Sequence, residues 1–153
     1  MLFRLTSPSF GDGRMIPPTH TRDGSDLSPP LAWSDPPSGT ATFALICDDP
    51  DAPRGVWVHR VLFNLGGSLR GLEEGVPAYD KAAGEFKQGK NDFGTLGHGG
   101  PAPPRGKPHR YFFRLYALDA LLNLPSGATK EQLLAAMKGH VLGETELMGK
   151  YQR

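Results

Sequence analysis

The chain has 153 residues, of which 20 are glycine and 15 proline, roughly double the combined usage of an ordinary globular protein. Seventeen Lys and Arg against sixteen Asp and Glu leave a formal net charge of +1, which excludes the basic footprint that a nucleic-acid partner demands. With 38% hydrophobic residues there is enough apolar side chain for a core, which excludes a disordered chain. No repeat, charge run or linker divides the sequence, so one domain over residues 1–153 is expected, turn-rich and β-leaning. The opening Met1-Leu2-Phe3-Arg4-Leu5 has no apolar signal region, and no stretch approaches the roughly 18 apolar residues of a membrane span. The expectation is a soluble, cytoplasmic protein without integral membrane association.

In chain order, the first forty residues are broken by turn formers such as Pro17-Pro18, Asp23-Gly24, Ser28-Pro29-Pro30 and Asp35-Pro36-Pro37, which leave only a short extended piece at Leu31 to Trp33. Thr42 to Asp48 is a continuous apolar run, predicting a strand buried on both faces. Its Cys47, the one cysteine, cannot form an internal disulfide and reads as a small buried hydrophobe. Val56 to Asn64 predicts a second strand, and strict alternation places Trp57, His59, Val61 and Phe63 on one face. From Gly71 to Pro108 no periodicity is visible, and loops of that length in compact domains are usually functional or disordered; the run Pro101-Ala102-Pro103-Pro104 argues for a stiff one.

His109 to Leu118 predicts a third strand with His109, Tyr111, Phe113 and Leu115 on one face. Thr129 and Gln132 form a capping box for a helix with an apolar stripe of Leu133, Leu134 and Met137, ended by Gly139. Val141 to Tyr151 predicts a last extended piece. Several strands, one helix and no βαβ alternation predict an antiparallel β-sandwich.

Gly84 to Asn91 resembles a phosphate-binding loop through Lys90, but Asn91 stands where the Mg²⁺-binding Ser or Thr belongs, and the glycines that follow cannot open a helix. Zinc-protease, serine-hydrolase and Cys-x-x-Cys motifs are absent. Asp49-Pro50-Asp51-Ala52-Pro53 places two carboxylates on a stiff turn. By itself this reads as backbone-capping Asx geometry, and a lone His59 or His109 reads as a structural histidine. Taken together, two histidine strands beside rigid loops bring two His, two Asp and the Gly99-Gly100 amides toward one place. Such a set suits a small anion such as phosphate or a divalent metal.

These segments resemble the phosphatidylethanolamine-binding protein family, in particular its short prokaryotic branch described as Raf kinase inhibitor-like. The resemblance rests on Ser28-Pro29-Pro30-Leu31-Ala32-Trp33, Asp48-Asp49-Pro50-Asp51-Ala52-Pro53, His59 with Asn64, and Gly99-Gly100-Pro101-Ala102-Pro103-Pro104-Arg105-Gly106 leading to His109-Arg110-Tyr111. It continues through Leu115 to Asp119, Ala136 to Leu142 and Gly149 to Tyr151. It implies a mainly β fold, an antiparallel Greek-key β-sandwich with a few short peripheral helices. It also implies a ligand pocket formed by Asp49, Asp51, Trp57, His59, Gly100, Pro104 and His109, with His98 standing in its wall where the family often has Tyr. His20 likewise replaces a common Tyr, and Arg60 a frequent aromatic.

The expected function is a non-enzymatic binding protein for phosphate-like or phosphorylated head groups. His59 and His109 would act as donors, the loop glycines would supply amides, and no cofactor, metal or catalytic residue is involved. A regulator of a protein partner, such as a kinase, through phosphorylated segments is the alternative, and a metal-dependent hydrolase a further one. The resemblance to the short branch, which lacks a C-terminal helix, also implies a homodimer.

Overall fold

In the computed structural model, which describes residues 2–77 and 86–153, nine strands form two sheets. They are β1 (Arg4–Thr6), β2 (Arg14–Met15), β3 (Leu31–Ser34), β4 (Thr42–Asp49), β5 (Trp57–Gly66), β6 (Gly71–Leu72), β7 (Lys87–Gln88), β8 (His109–Leu118) and β9 (Val141–Tyr151). The helix α1 spans Lys130–Met137, and a 3-10 turn spans Pro18–His20. The large sheet runs β2-β9-β8-β4-β5-β7 and the small one β1-β3-β6. All pairings are antiparallel except the short parallel contact of β2 with β9.

β4 is buried at all eight positions because it is flanked by β5 and β8 and covered on both faces. Phe43, Leu45 and Cys47 face the small sheet, packing with Leu5, Leu31 and Trp33. Ala44 and Ile46 face the other way, toward Leu133 and Met137 of α1. A strand covered on both sides must be apolar throughout, which is why its sequence shows no alternation. The sandwich thus carries a third, partial layer. The capping box of α1 is present, with the Thr129 hydroxyl accepting from Gln132 N at 3.2 Å and the Gln132 side chain accepting from Thr129 N at 3.0 Å. The predicted apolar stripe is narrower than expected, since Leu133 and Met137 are buried while Leu134 is exposed.

The alternation expected for β5 fails, and the register shows why. Cys47 pairs with Arg60 and Asp48 with Val58, so His59 is an extra residue in a bulge; a second irregularity separates the pairs Phe43 with Leu65 and Leu45 with Leu62. A bulge inserts one residue and flips the facing of everything beyond it. Val61 and Phe63 therefore pack on the helix side, while Leu62 and Leu65 join the small-sheet core. His59 also faces that side, with its ring 5.1 Å from Tyr111. At the second bulge Asn64 has φ of +59°, and its amide is exchanged with the Leu122 backbone at 2.9 and 2.8 Å. Arg60, opposite Cys47, is fully buried; its Nε and Nη1 have no hydrogen-bond partner among the described residues, and burial pushes its pKa down to about 10.

Candidate functional site

The β4–β8 ladder ends at Asp48 opposite Phe112, so the next residues of β4 lie beside the first residues of β8. This is how Asp49 meets His109. The His109 Nδ1 donates to Asp49 Oδ2 at 2.7 Å, and Asp49 Oδ1 accepts from the Asp51 amide at 2.7 Å. The Asx turn read from the sequence is therefore present, and it shares its carboxylate with the histidine. A carboxylate only accepts, so Nδ1 carries the hydrogen and Nε2 is the ring nitrogen left for a ligand.

His59 is held by a different partner, the carbonyl of Gly99, to which its Nδ1 donates. Burial lowers its pKa below the usual histidine value. At neutral pH the ring is uncharged, and its Nε2 is a hydrogen-bond acceptor. The sequence-based role of His59 as a donor is corrected accordingly: it donates through Nε2 only once protonated, below its lowered pKa.

Both imidazoles line a cavity of about 290 Å³ together with Asp49, Arg54, Trp57, Phe93, Pro103, Pro104 and Tyr111. Phe93 packs edge-on against Trp57 and His59, with centroids 5.4 and 5.5 Å away. The Arg22 guanidinium lies over the Phe93 ring, its carbon 4.0 Å from the ring centroid. The walls are thus aromatic and proline-stiffened, with a few polar groups at one end. A larger depression of about 510 Å³ beside Leu72 and Glu73 has neither histidine nor cation in its described lining, so the chemistry favours the smaller cavity.

Of the expected site residues, Asp49, Trp57, His59, Pro104 and His109 come together, and three do not. Asp51 turns outward, its carboxylate bound by Arg110 through N, Nε and Nη2, each at 2.9 Å, and that pairing lowers its pKa. The Gly100 amide donates to Asp26 Oδ1 at 2.8 Å and the Gly99 amide to His59 O at 2.9 Å. Neither glycine has an amide free for an anion, contrary to the expectation. These positions need glycine for space: a Cβ on Gly100 would lie 2.5 Å from His20 O and on Gly99 2.5 Å from Phe93 Cδ2. His98 sits behind the cavity, its Nε2 donating to His20 O at 3.1 Å, and burial pushes its pKa down to about 3.

Tyr111, Arg54 and Phe93 are among the lining residues not singled out as site residues from the sequence. Tyr111 was legible, being on the predicted face of β8 with His109; Arg54 and Phe93 are loop residues without a periodic signal. Among the described residues no three His, Cys, Asp or Glu side chains are grouped to hold a metal ion, so the metal-hydrolase reading gains no geometric support. Of the phosphate-loop resemblance, Gly84 and Glu85 lie outside the described residues. The part that is described opens no helix, because Asn91 instead closes a turn by accepting from Phe93 N and Thr95 N at 3.0 and 3.1 Å.

A β-sandwich with a mostly apolar cavity and a few convergent polar groups has the architecture of a small-ligand binding protein. The chain belongs to the phosphatidylethanolamine-binding protein family, whose sequence pattern matches residues 6–152. A UPF0098 protein of Methanothermobacter thermautotrophicus is 53% identical over 149 residues, covering 97% of this chain and 98% of that one. A UPF0098 protein of Aquifex aeolicus is 44% identical, covering 99% and 90%. Among solved structures, a phosphatidylethanolamine-binding protein homologue from Chlamydia trachomatis superposes with a TM-score of 0.90 at 40% identity, covering 99% and 97%. YbcL of E. coli, described as a member of the mammalian family, gives 0.91 at 30% identity, covering 99% and 98%. Among the described residues no helix is long and apolar enough to cross a membrane.

Proposed function

We propose that the protein is a non-enzymatic binding protein whose cavity takes a small anionic or phosphorylated head group. The observation that carries this reading is the 2.7 Å contact of His109 with Asp49, which fixes the imidazole with Nε2 facing a ligand. The adjacent Arg54 adds a permanent cation. His59 Nε2, an acceptor at neutral pH, suits a ligand that also carries a proton to give, such as a P–OH or an ammonium. The apolar walls suit the hydrocarbon part of a head group.

The cavity's carboxylate is already engaged, since Asp49 accepts from His109 and from the Asp51 amide, an arrangement that supports holding a ligand. The name of the family points the same way, toward a phosphorylated amine. The test is calorimetric or NMR titration of the whole chain with phosphoethanolamine: weak binding is expected, and His109→Ala should abolish it with the fold intact. A variant that binds as well as the wild type defeats the assignment.

A further inference from the structure

Behind His59, away from the ligand cavity, lies a second, much smaller void of about 10 Å³ whose polar walls are His20, His59, His98 and Tyr111, set among apolar neighbours such as Cys47 and Phe113. Three side-chain atoms of these walls are buried and without a hydrogen-bond partner among the described residues: His20 Nε2, His98 Nδ1 and Tyr111 Oη. Buried polar atoms are almost always partnered, so three orphans around one void require an explanation.

The donor and acceptor character of each orphan is fixed by what the opposite side of its ring does. His20 Nδ1 lies 3.0 Å from Leu27 O. A carbonyl can only accept, so Nδ1 carries the hydrogen and Nε2 is a lone pair. His98 Nε2 donates to His20 O, so its Nδ1 is likewise a lone pair. Tyr111 Oη brings one hydrogen. The void therefore presents two acceptors and one donor, which cannot satisfy one another, since one hydroxyl hydrogen cannot serve two imidazoles.

We propose that this void is a built site for one water molecule, which accepts from the Tyr111 hydroxyl and donates its two hydrogens to His20 Nε2 and His98 Nδ1. The size agrees: about 10 Å³ is near the smallest space that admits a water and excludes a polyatomic anion, and buried waters typically make about three hydrogen bonds. A single halide is the competing occupant, because Arg60 is close enough to push the His98 pKa down. A halide wants donors, however, and this site offers one donor against two lone pairs.

The site touches function at one point, because Tyr111 and His59 line both the void and the ligand cavity. With its hydroxyl committed inward to the water, Tyr111 offers the ligand only its ring. This placement is independent of what the ligand is.

The test is a crystal structure of the whole chain from a bromide-containing solution, together with NMR of the protein in water. One solvent peak is expected within hydrogen-bond reach of all three atoms and without bromide anomalous signal. The Tyr111 hydroxyl proton should be slow enough to observe and should show a cross-peak to water, and Tyr111→Phe should lose that cross-peak while the solvent peak stays against the two imidazoles. The proposal is overturned by absence of the peak in the wild type, by an anomalous bromide peak in its place, or by a Tyr111 hydroxyl that donates directly to either imidazole. If the Phe variant fails to fold, the wild-type cross-peak alone decides.

Discussion

His59 and Gly99 hold each other through two hydrogen bonds: the Gly99 amide donates to His59 O at 2.9 Å, and the His59 imidazole donates back to Gly99 O. The pair closes a ring between the bulge in β5 and the glycine-rich loop. The bulge supplies the reason such a ring can form, since the extra residue leaves the ladder and its backbone is free to pair with a loop. This cavity histidine is thus oriented by the backbone of the loop, and its tautomer follows.

Gly99→Ala should break this arrangement. Its Cβ would meet Phe93 Cδ2 at 2.5 Å and Cε2 at 2.8 Å, and Phe93 is itself pinned between Arg22 and the rings of Trp57 and His59. Overpacking of this kind costs about 1–3 kcal/mol. Chemical denaturation should show a lower midpoint with unchanged slope, and ligand titration a weaker affinity. A variant as stable as the wild type means that Phe93 moves freely and the wall is not pinned.

Asp51 should be dispensable for the ligand. Its carboxylate points to Arg110 in a partly exposed pair, a setting in which ion pairs contribute little. Asp51→Asn should bind phosphoethanolamine within about twofold of the wild type, the scatter of a surface change remote from a site, while His109→Ala loses it. A large loss in the Asn variant would return Asp51 to the site.

Much of this molecule was legible in its sequence. β4, β8 and α1 each announce themselves by an apolar run, a two-residue period or a capping box, because local chemistry alone sets those patterns. The bulge at His59 was not legible, because register is a property of two strands: Val56 to Asn64 alternates well enough by itself, and only pairing with β4 reveals that Val61 and His59 face opposite ways. β2, β6 and β7 are two residues long, below what a period can show. The Gly99 and Gly100 amides read as free because their acceptors, His59 O and Asp26, lie forty and seventy-four residues away in sequence.

Acid should destabilise the fold in a window that His98 helps to set. Its folded pKa is about 3 against roughly 6.5 unfolded. Between those values the unfolded chain binds the extra proton, so stability falls as pH drops below about 6.5, by up to about 1.4 kcal/mol per pH unit for one group. Asp26 Oδ1, 3.5 Å from His98 Nε2, would attract the imidazolium, but burial outweighs it. His59, also lowered by burial, adds in the same direction. Thermal midpoints measured from pH 7 to pH 4.5 should fall more steeply for the wild type than for His98→Phe. Equal slopes in the two proteins would show that His98 titrates normally.

The neutral state of His59 predicts a preference among anions. With Nδ1 committed to Gly99 O, Nε2 is an acceptor at pH 7.5, and it should favour anions that carry a hydrogen over those that do not. Hydrogenphosphate, with its P–OH, and phosphoethanolamine, with its ammonium, each offer one; sulfate offers none. Both phosphorylated ligands should therefore bind more tightly than sulfate at pH 7.5. As pH falls below about 6.5, protonation turns Nε2 into a donor and sulfate affinity should rise, with an onset lower than that of a free histidine because burial depresses the pKa. A metal site would show the opposite slope, since protonated imidazole cannot ligate. Sulfate titrations at several pH values, alongside hydrogenphosphate, separate the cases. His59→Ala should weaken the preference and remove the part of the pH dependence that His59 contributes, and a preference unchanged by that substitution would place the discriminating acceptor elsewhere in the cavity, where His109 Nε2 is the other ring nitrogen.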